Sequence, residues 1–243
     1  MEPVNDLQSE IQERSLSQDG TRQSLSTRLF MQLHVYTGCV DAPALVEAVK
    51  HRGLECVLYQ GVNDPKGIGI LAMSEDPVTL VTRHRDLLIS SPFRELVAQP
   101  EFTMVGRTYA GGYETDLENW LLRRPRLTTR NPEWPWAIWY PLRRSGAFAQ
   151  LPPQEQGAIL REHAMIGRAY GEADLGHDVR LACYGLDVHD NDFVIGLIGK
   201  DLYPLSHIVQ AMRKTRQTSE FIQSMGPFFV GYVLWQSPFT GEG

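Results

Sequence analysis

The chain has 243 residues, of which 42% are hydrophobic and 21% charged, as in a globular protein with one large core or two smaller ones. Its net charge of −6 argues against a surface that follows nucleic-acid phosphates. No apolar run approaches the roughly 18 residues of a membrane span, so we expect none. Residues 1–28 are polar and mixed in charge, without the apolar stretch of a secretory signal, and predict a flexible N-terminal arm.

The first half of the chain alternates strand-like and helix-like segments. Composition rich in β-branched and aromatic residues predicts strands at 29–37, 54–60, 67–72 and 102–109. Helical spacing predicts helices at 42–52, ending at Gly53, and at 77–88. The resulting β-α-β-β-α-β order makes residues 29–113 a ferredoxin-like domain.

A connector rich in Pro and Arg, residues 114–135, leads to a second half with the same order. Strands are predicted at 136–143, 179–186, 193–198 and 228–235, and helices at 153–170 and 202–212. The segment VHDND between the middle strands resembles a hairpin more than a metal loop. Residues 136–243 thus form a second ferredoxin-like domain. The fold class is α+β, a tandem ferredoxin-like arrangement of the dimeric α+β barrel type, in which the open sheet faces must be buried against each other or another subunit.

Several kinds of site are poorly supported. Cys39, Cys56 and Cys183 are far apart and form no CxxC or CxxCH, which argues against structural zinc, iron–sulfur clusters and covalently attached haem. Their odd number and separation fit a reducing, cytoplasmic environment. Glycine-rich nucleotide loops, HExxH and GxSxG are also missing from the sequence.

His163 is the most informative polar residue of the predicted helix 153–170. Its neighbours at helical spacing include Ile159, Leu160, Ile166 and Gly167, so the imidazole lies on the apolar stripe. This placement is typical of a core histidine with a carbonyl partner, and it also fits an axial ligand to haem iron, with Gly167 leaving room for a flat macrocycle.

Two further sets of residues are candidates for a functional site. Strand alternation places Tyr140, Leu142 and Arg144 on one face, where a tyrosine and a guanidinium can form an acid–base or redox pair, or simply an aromatic contact and a solvated charge. The arginines of the connector suit carboxylates or phosphates, or a solvated linker; they are Arg123, Arg124, Arg126 and Arg130.

Five segments of the second half stand out together: WYPLRR (139–144), REHAMIGRAY (161–170), GLD (185–187), AMR (211–213) and PFFVG (227–231). They are similar to segments of the chlorite dismutase-like superfamily, especially its coproheme decarboxylase branch. The resemblance implies the tandem fold described above, usually assembled as a homopentamer. It also implies a late step of haem biosynthesis, in which hydrogen peroxide drives conversion of two propionates of iron coproporphyrin III to the vinyl groups of haem b.

The resemblance assigns roles to individual residues. His163 matches the axial iron ligand, and Tyr140 matches the tyrosine whose radical abstracts hydrogen from a propionate. Arg144 stands where members steady a propionate or relay a proton. Further tetrapyrrole contacts are implied for Arg126, Tyr109, Arg213 and Thr218.

Two departures from the family pattern concern the iron surroundings. Where chlorite-degrading members carry a distal arginine, a gap-free count from Gly185 reaches Asp178, and Arg180 comes two residues later. The segment Ile198–Lys200 offers no acidic partner for His163, so its imidazole should donate less electron density. The alternatives to coproheme decarboxylation are chlorite dismutation or haem peroxidase activity, and haem binding without catalysis.

Overall fold

The computed structural model describes residues 5–238, and the chain enters the fold through an ordered N-terminal segment. Helix α1 (Asn5–Glu10) precedes a hairpin of strands β1 (Glu13–Leu16) and β2 (Arg22–Leu25), where the sequence predicts a flexible arm. The guanidinium of Arg28, only 8% exposed, donates to the carbonyls of Ile11 and Leu25, both at 2.8 Å. These hydrogen bonds attach the N-terminal segment to Arg28, just before β3. The polar composition of the segment gives no sign of them.

The first half contains the predicted β-α-β-β-α-β order. Its elements are β3 (Phe30–Thr37), α2 (Ala42–Arg52), β4 (Cys56–Gly61), β5 (Ile68–Ser74), a π-helical segment (Leu80–His84) continuing as α3 (Arg85–Leu88), β6 (Val97–Ala98) and β7 (Met104–Thr108), with short 3-10 turns at Phe93–Glu95 and Pro100–Phe102. Helix α2 has the predicted bounds because its ends carry local signals. The side chain of Asp41 accepts from the backbone N–H of Ala44, and Gly53 is left-handed at φ 56°.

The second half repeats the order with three additional short elements. It contains β8 (Trp136–Arg144), α5 (Gly146–Ala149), α6 (Pro153–Glu172), β9 (His177–Ala182), β10 (Phe193–Gly199), α7 (Leu202–Met212), α8 (Arg216–Phe221), β11 (Ile222–Met225) and β12 (Phe229–Gln236). Strand β9 ends four residues earlier than predicted, because the chain turns through Gly185 at φ 70°. Strands β9 and β10 pair antiparallel, so the VHDND segment is part of a hairpin connection as predicted.

The two halves close into one eight-stranded antiparallel barrel. Strand order runs β10-β9-β7-β3-β5-β4-β12-β8, and β8 also pairs with β10. The halves are joined at two seams, β4 with β12 and β7 with β9. Each half keeps the strand order of a ferredoxin-like sheet, so the tandem prediction is confirmed. Closure leaves no free edge among the eight strands.

Side chains from the strands fill the barrel. Trp139 is fully buried in the interior, and a Cβ on Gly196 of the adjacent strand would lie 2.5 Å from the indole ring. A Cβ on Gly69 would similarly lie 2.4 Å from Phe229. Glycine is therefore required at both positions for the large rings to fit. Because the interior is packed, any ligand site of this barrel must lie on its outside or ends.

The connector covers one end of the barrel. It forms a π-helical segment (Asn119–Arg123) followed by α4 (Arg124–Thr129), and Leu117, Leu121 and Leu122 belong to the interior core cluster. The connector is thus a packed element and not a solvated linker.

The remaining helices lie outside the barrel. Helices α2 and α3 pack on the first half, whereas α7 packs on the second half through Leu205 and Ile208. Among the helices of residues 5–238, none has both the length and the apolar character that crossing a bilayer requires.

Candidate functional site

The outer face of the second half carries most of the residues singled out by the sequence. Opposite residues of antiparallel strands point to the same side of a sheet. Ile195 of β10 pairs with Tyr140 of β8 and with Arg180 of β9, which places these two side chains on one row of the outer face. Asp178 lies on the adjacent row, opposite Leu197. Tyr140, Asp178 and Arg180 therefore share one face.

Helix α6 passes over this face, and few of its side chains are buried. Of its twenty residues, only Ile159 is buried; Leu160, three residues before His163 and on the same side, is 39% exposed, whereas Met165, about 200° around the helix from His163, is 71% exposed. Gly167 faces α7, since a Cβ there would be in van der Waals contact with Met212 at 3.6 Å. A helix with this much exposed apolar surface can still cover an apolar ligand.

His163 occupies the inner side of α6 in partly buried surroundings. Its Nδ1 lies 3.3 Å from the hydroxyl of Thr215, the one hydrogen-bond partner of this ring within residues 5–238. Burial, together with the positive charges of Arg180 and Arg144, lowers the pKa of His163 to about 4. The imidazole is consequently neutral at physiological pH, the state in which histidine binds metals.

Tyr140 is buried beside an aromatic partner. The side chain is 5% exposed, and its ring stacks on Phe228 with centroids 4.7 Å apart. Burial raises the pKa of Tyr140, and the charge of Asp178 acts in the same direction, while Arg213 opposes this. The phenol therefore keeps its hydrogen across the physiological pH range.

Arg144 carries a charge without a carboxylate partner in the described part of the chain. Its guanidinium lies over the rings of Phe148 and Phe193, at 4.5 and 4.9 Å from their centroids. Its buried Nε makes no hydrogen bond within residues 5–238. The backbone N–H of Arg144 is held by the carboxylate of Asp192 at 2.6 Å. A desolvated guanidinium of this kind is suited to a carboxylate of a ligand.

Asp178 and Arg180 form an ion-pair group with the connector. The carboxylate of Asp178 accepts from Arg124 at 2.7 Å and lies 2.9 Å from Nε of Arg180. Both guanidinium groups also lie over the indole of Trp120, at 4.5 and 5.0 Å. Burial acts to raise the pKa of Asp178, but Arg180 and Arg124 outweigh it and the pKa is lowered. The carboxylate is ionised, and its charge offsets that of Arg180.

Three of the other predicted contact residues border this face. Tyr109 packs on Phe193 with centroids 5.6 Å apart, and burial raises its pKa. Arg213 ends α7, close enough to Tyr140 to influence the pKa of its phenol. Thr218 lies in α8, where its N–H donates to the hydroxyl of Thr215 at 3.4 Å.

Arg126 is placed elsewhere. Its guanidinium forms ion pairs with Glu55 at 2.7 Å and Glu75 at 2.8 Å, both on the first half of the barrel. Arg124 and Arg126 are two residues apart on α4, about 200° around the helix, and so point in opposite directions. The structure does not bring Arg126 to the face of His163 and Tyr140. A large open cavity of about 960 Å³ beside Arg126 is lined by residues of both signs of charge.

Sequence reasoning missed several residues that shape this face. Phe228 stacks on Tyr140, Trp120 lies under two guanidinium groups, and Thr215 contacts His163. A threonine before the short helical run RQTSE is a detectable N-cap signal for Thr215. Its contact with a histidine 52 residues away is a product of tertiary packing.

The family model for chlorite dismutase matches residues 40–234, more than three quarters of the chain. The chain belongs to the chlorite dismutase family. Solved structures agree with this fold. A heme-binding protein from Thermus thermophilus is 22% identical with a TM-score of 0.68, and the match covers 86% of this chain and 91% of that one. A chlorite dismutase variant from Candidatus Nitrospira defluvii is 14% identical with a TM-score of 0.66, covering 84% and 91%.

The chlorite dismutase of Candidatus Nitrospira defluvii in complex with imidazole is 14% identical with a TM-score of 0.64, covering 84% of this chain and 90% of the other. Matches of this extent span both halves of the barrel. The tandem ferredoxin-like fold predicted from the sequence is therefore the fold of this chlorite dismutase family member.

Proposed function

We propose that this chlorite dismutase family member is a haem-dependent enzyme whose substrate is iron coproporphyrin III. The proposed reaction uses hydrogen peroxide to convert two propionates to vinyl groups and so produces haem b. The observation that carries the proposal is the placement of three residues around one outer face of the barrel: neutral His163, buried Tyr140, and Arg144, whose Nε makes no hydrogen bond within residues 5–238.

The residues on this face fit an iron tetrapyrrole. A macrocycle with acidic substituents needs a neutral nitrogen ligand, apolar and aromatic walls, and cations at its edge. His163 supplies the nitrogen, and the partly exposed apolar surface of α6 together with Phe193 and Phe228 supplies the walls. Arg144, whose guanidinium lies over Phe148 and Phe193 and forms no ion pair within residues 5–238, would bind a propionate.

Each residue has a distinct task in this proposal. His163 holds the iron, while Arg144 and Arg213 bind propionates at the edge, with Tyr109 and Thr218 as further contacts. Tyr140 would give up its phenol hydrogen, the electron and proton both going to peroxide on its way to water, and would recover a hydrogen atom from the propionate β-carbon. When bound, the iron activates peroxide and supplies the oxidising power for this exchange. Every propionate loses carbon dioxide, a proton and two electrons, and peroxide takes up those electrons to form water.

Chlorite dismutation is the alternative that the family name suggests. That reaction needs an anion drawn to the iron, and Arg180 is the cation on this face that the family pattern would use. Its pairing with Asp178 at 2.9 Å reduces the net positive charge there. This pairing favours decarboxylation over chlorite chemistry. If the protein forms neither haem b from coproheme nor oxygen from chlorite, its function is haem binding without catalysis.

The proposal is tested by mixing the protein with iron coproporphyrin III, adding hydrogen peroxide and following the porphyrin by mass spectrometry. We expect two successive losses of the propionate carboxyl group. Tyr140→Phe should bind the porphyrin but form no product, and Tyr203→Phe, an exposed tyrosine of α7, should react normally. Unchanged product formation by Tyr140→Phe would remove Tyr140 from the reaction, and oxygen release from chlorite without decarboxylation would replace the proposal.

A further inference from the structure

Thr215 occupies a buried position between α7 and α8, directly behind His163. The residue is 2% exposed and is the N-cap of α8. Its hydroxyl oxygen lies 3.3 Å from Nδ1 of His163, which leaves Nε2 of the ring free of this contact. No motif of the sequence points to this contact.

The hydrogen of this hydroxyl is already used. Thr215 donates through Oγ1 to the carbonyl of Met212 at 2.8 Å, a shorter contact than those of the hydroxyl with Thr218 Oγ1 and with His163 Nδ1, both at 3.3 Å. A hydroxyl has one hydrogen to donate, so its oxygen can only accept from the imidazole. Nδ1 of His163 must therefore carry the ring hydrogen and donate it to Thr215. Neutral imidazole has a single N–H, and Nε2 is left with its lone pair available.

We propose that Thr215 is the positioning residue of the iron ligand: it fixes the tautomer and the orientation of His163 so that Nε2 is presented for coordination. The inference rests on the proposed function for the identity of the metal, but the tautomer is a property of the chain alone. Hydrogen-bond partners behind a ligating histidine commonly determine which nitrogen binds the metal.

The surrounding contacts hold Thr215 in place and keep other acceptors away. Glu162, adjacent to His163 on α6, accepts from the backbone N–H of Arg216 at 3.2 Å and so joins α6 to the start of α8. The carboxylate of Asp178 is engaged by Arg124 and Arg180. The partner of His163 is thus a neutral hydroxyl and not a carboxylate. A neutral acceptor withdraws the Nδ1 hydrogen less, so the iron receives less electron density than from a carboxylate-paired histidine.

Nitrogen-15 NMR of the imidazole in the ligand-free full-length protein tests the tautomer directly. We expect the hydrogen of His163 on Nδ1 in the wild type and in Thr215→Ser, and a mixture of both tautomers in Thr215→Val. A hydrogen found on Nε2 in the wild type overturns the inference, with no variant needed.

The porphyrin-loaded protein provides a second readout. Thr215→Val should bind iron coproporphyrin III about 10-fold more weakly, the lower end of the usual loss for such partners. Its iron–histidine stretching band in the resonance Raman spectrum of the ferrous protein should move to lower wavenumber, and Thr215→Ser should restore both.

The control Thr129→Val removes a buried hydroxyl that donates to the Pro125 carbonyl at 2.8 Å on the connector, and should change neither readout. An unmoved band and unchanged affinity in Thr215→Val would refute the positioning role while leaving the proposed function intact. Failure of the wild type to bind the porphyrin would instead refute the proposed function, and the NMR result would still stand.

Discussion

The carboxylate of Asp178 lies 2.9 Å from the guanidinium of Arg180, two residues further along strand β9. Arg124 of the connector binds the same carboxylate at 2.7 Å. A negative charge in this region would repel anions on its own, but here it lies between two cations. The acidic residue therefore moderates the field of a cationic region and anchors the connector to the second half of the barrel.

Removing that carboxylate should make the face more attractive to anions. Asp178→Asn removes one negative charge from this face, and at an effective dielectric constant near 20 a unit charge is worth about 1–2 kcal/mol to an anion roughly 10 Å away. We expect the affinity of the porphyrin-loaded protein for fluoride, followed by absorption spectroscopy, to rise about 10-fold. Asp174→Asn, a surface carboxylate paired with His177 and Lys200, is the control. Equal fluoride affinity in wild type and Asp178→Asn would contradict the role of the ion-pair group.

Arg126 should contribute to stability and not to porphyrin binding. Its guanidinium is 12% exposed and binds Glu55 and Glu75, so Arg126→Ala removes both ion pairs and leaves Glu55 paired with Arg130 alone. The free energy of unfolding, measured with urea, should fall by about 2 kcal/mol. Arg168→Ala, which breaks an exposed pair with Glu172, should cost about 0.5 kcal/mol or less.

The affinity of Arg126→Ala for iron coproporphyrin III should equal that of the wild type. A folded variant with clearly weakened porphyrin affinity would show that Arg126 contacts the ligand, as the family resemblance implies.

Local sequence signals predicted the helices and strands of this fold. They did not predict contacts between residues that are distant in the sequence. Helices α2 and α7 have the predicted bounds, and both start after an aspartate, Asp41 or Asp201. Alternation along β8 correctly placed Tyr140 and Leu142 on one face, with Trp139 on the other. The partner of Arg126 could not be predicted in this way, because Glu55 is 71 residues away and the choice depends on how α4 crosses the barrel.

Local sequence signals also failed to predict that the N-terminal hairpin and the connector pack on the barrel. Polar composition at 13–25 suggested mobility, but the hairpin is held by tertiary contacts such as Gln23 with the carbonyl of Thr115 at 2.8 Å. The connector reads as charged, yet Leu117, Leu121 and Leu122 lie in the barrel core. For the site, the sequence indicated the reactive groups, and their supporting residues appear only once the chain is folded.

His84 should make the protein less stable in mild acid. The side chain is 1% exposed, and neither ring nitrogen has a hydrogen-bond partner within residues 5–238. Burial, with a contribution from nearby His34, lowers the pKa of His84 from 6.5 to about 4. Below pH 6.5 the unfolded chain takes up a proton that the folded chain refuses until about pH 4. The free energy of unfolding should therefore fall over that interval, by about 3 kcal/mol from this group.

Replacing His84 with phenylalanine removes the titrating group and keeps a ring in the pocket. Urea unfolding at several pH values should show a weaker decline toward pH 4 for His84→Phe than for the wild type. His51→Phe, at an exposed position near the end of α2, should keep the wild-type slope. Parallel pH curves for wild type and His84→Phe would contradict the assignment.

Coordination by His163 is tested most directly by titrating iron coproporphyrin III into His163→Ala and recording the absorption spectrum. We expect the spectrum of the histidine-ligated iron to be lost and the affinity to fall by about 100-fold. The control His189→Ala, an exposed histidine of the β9–β10 connection, should behave as the wild type. A His163→Ala variant that takes up the porphyrin with the wild-type affinity and spectrum would show that His163 does not bind the iron.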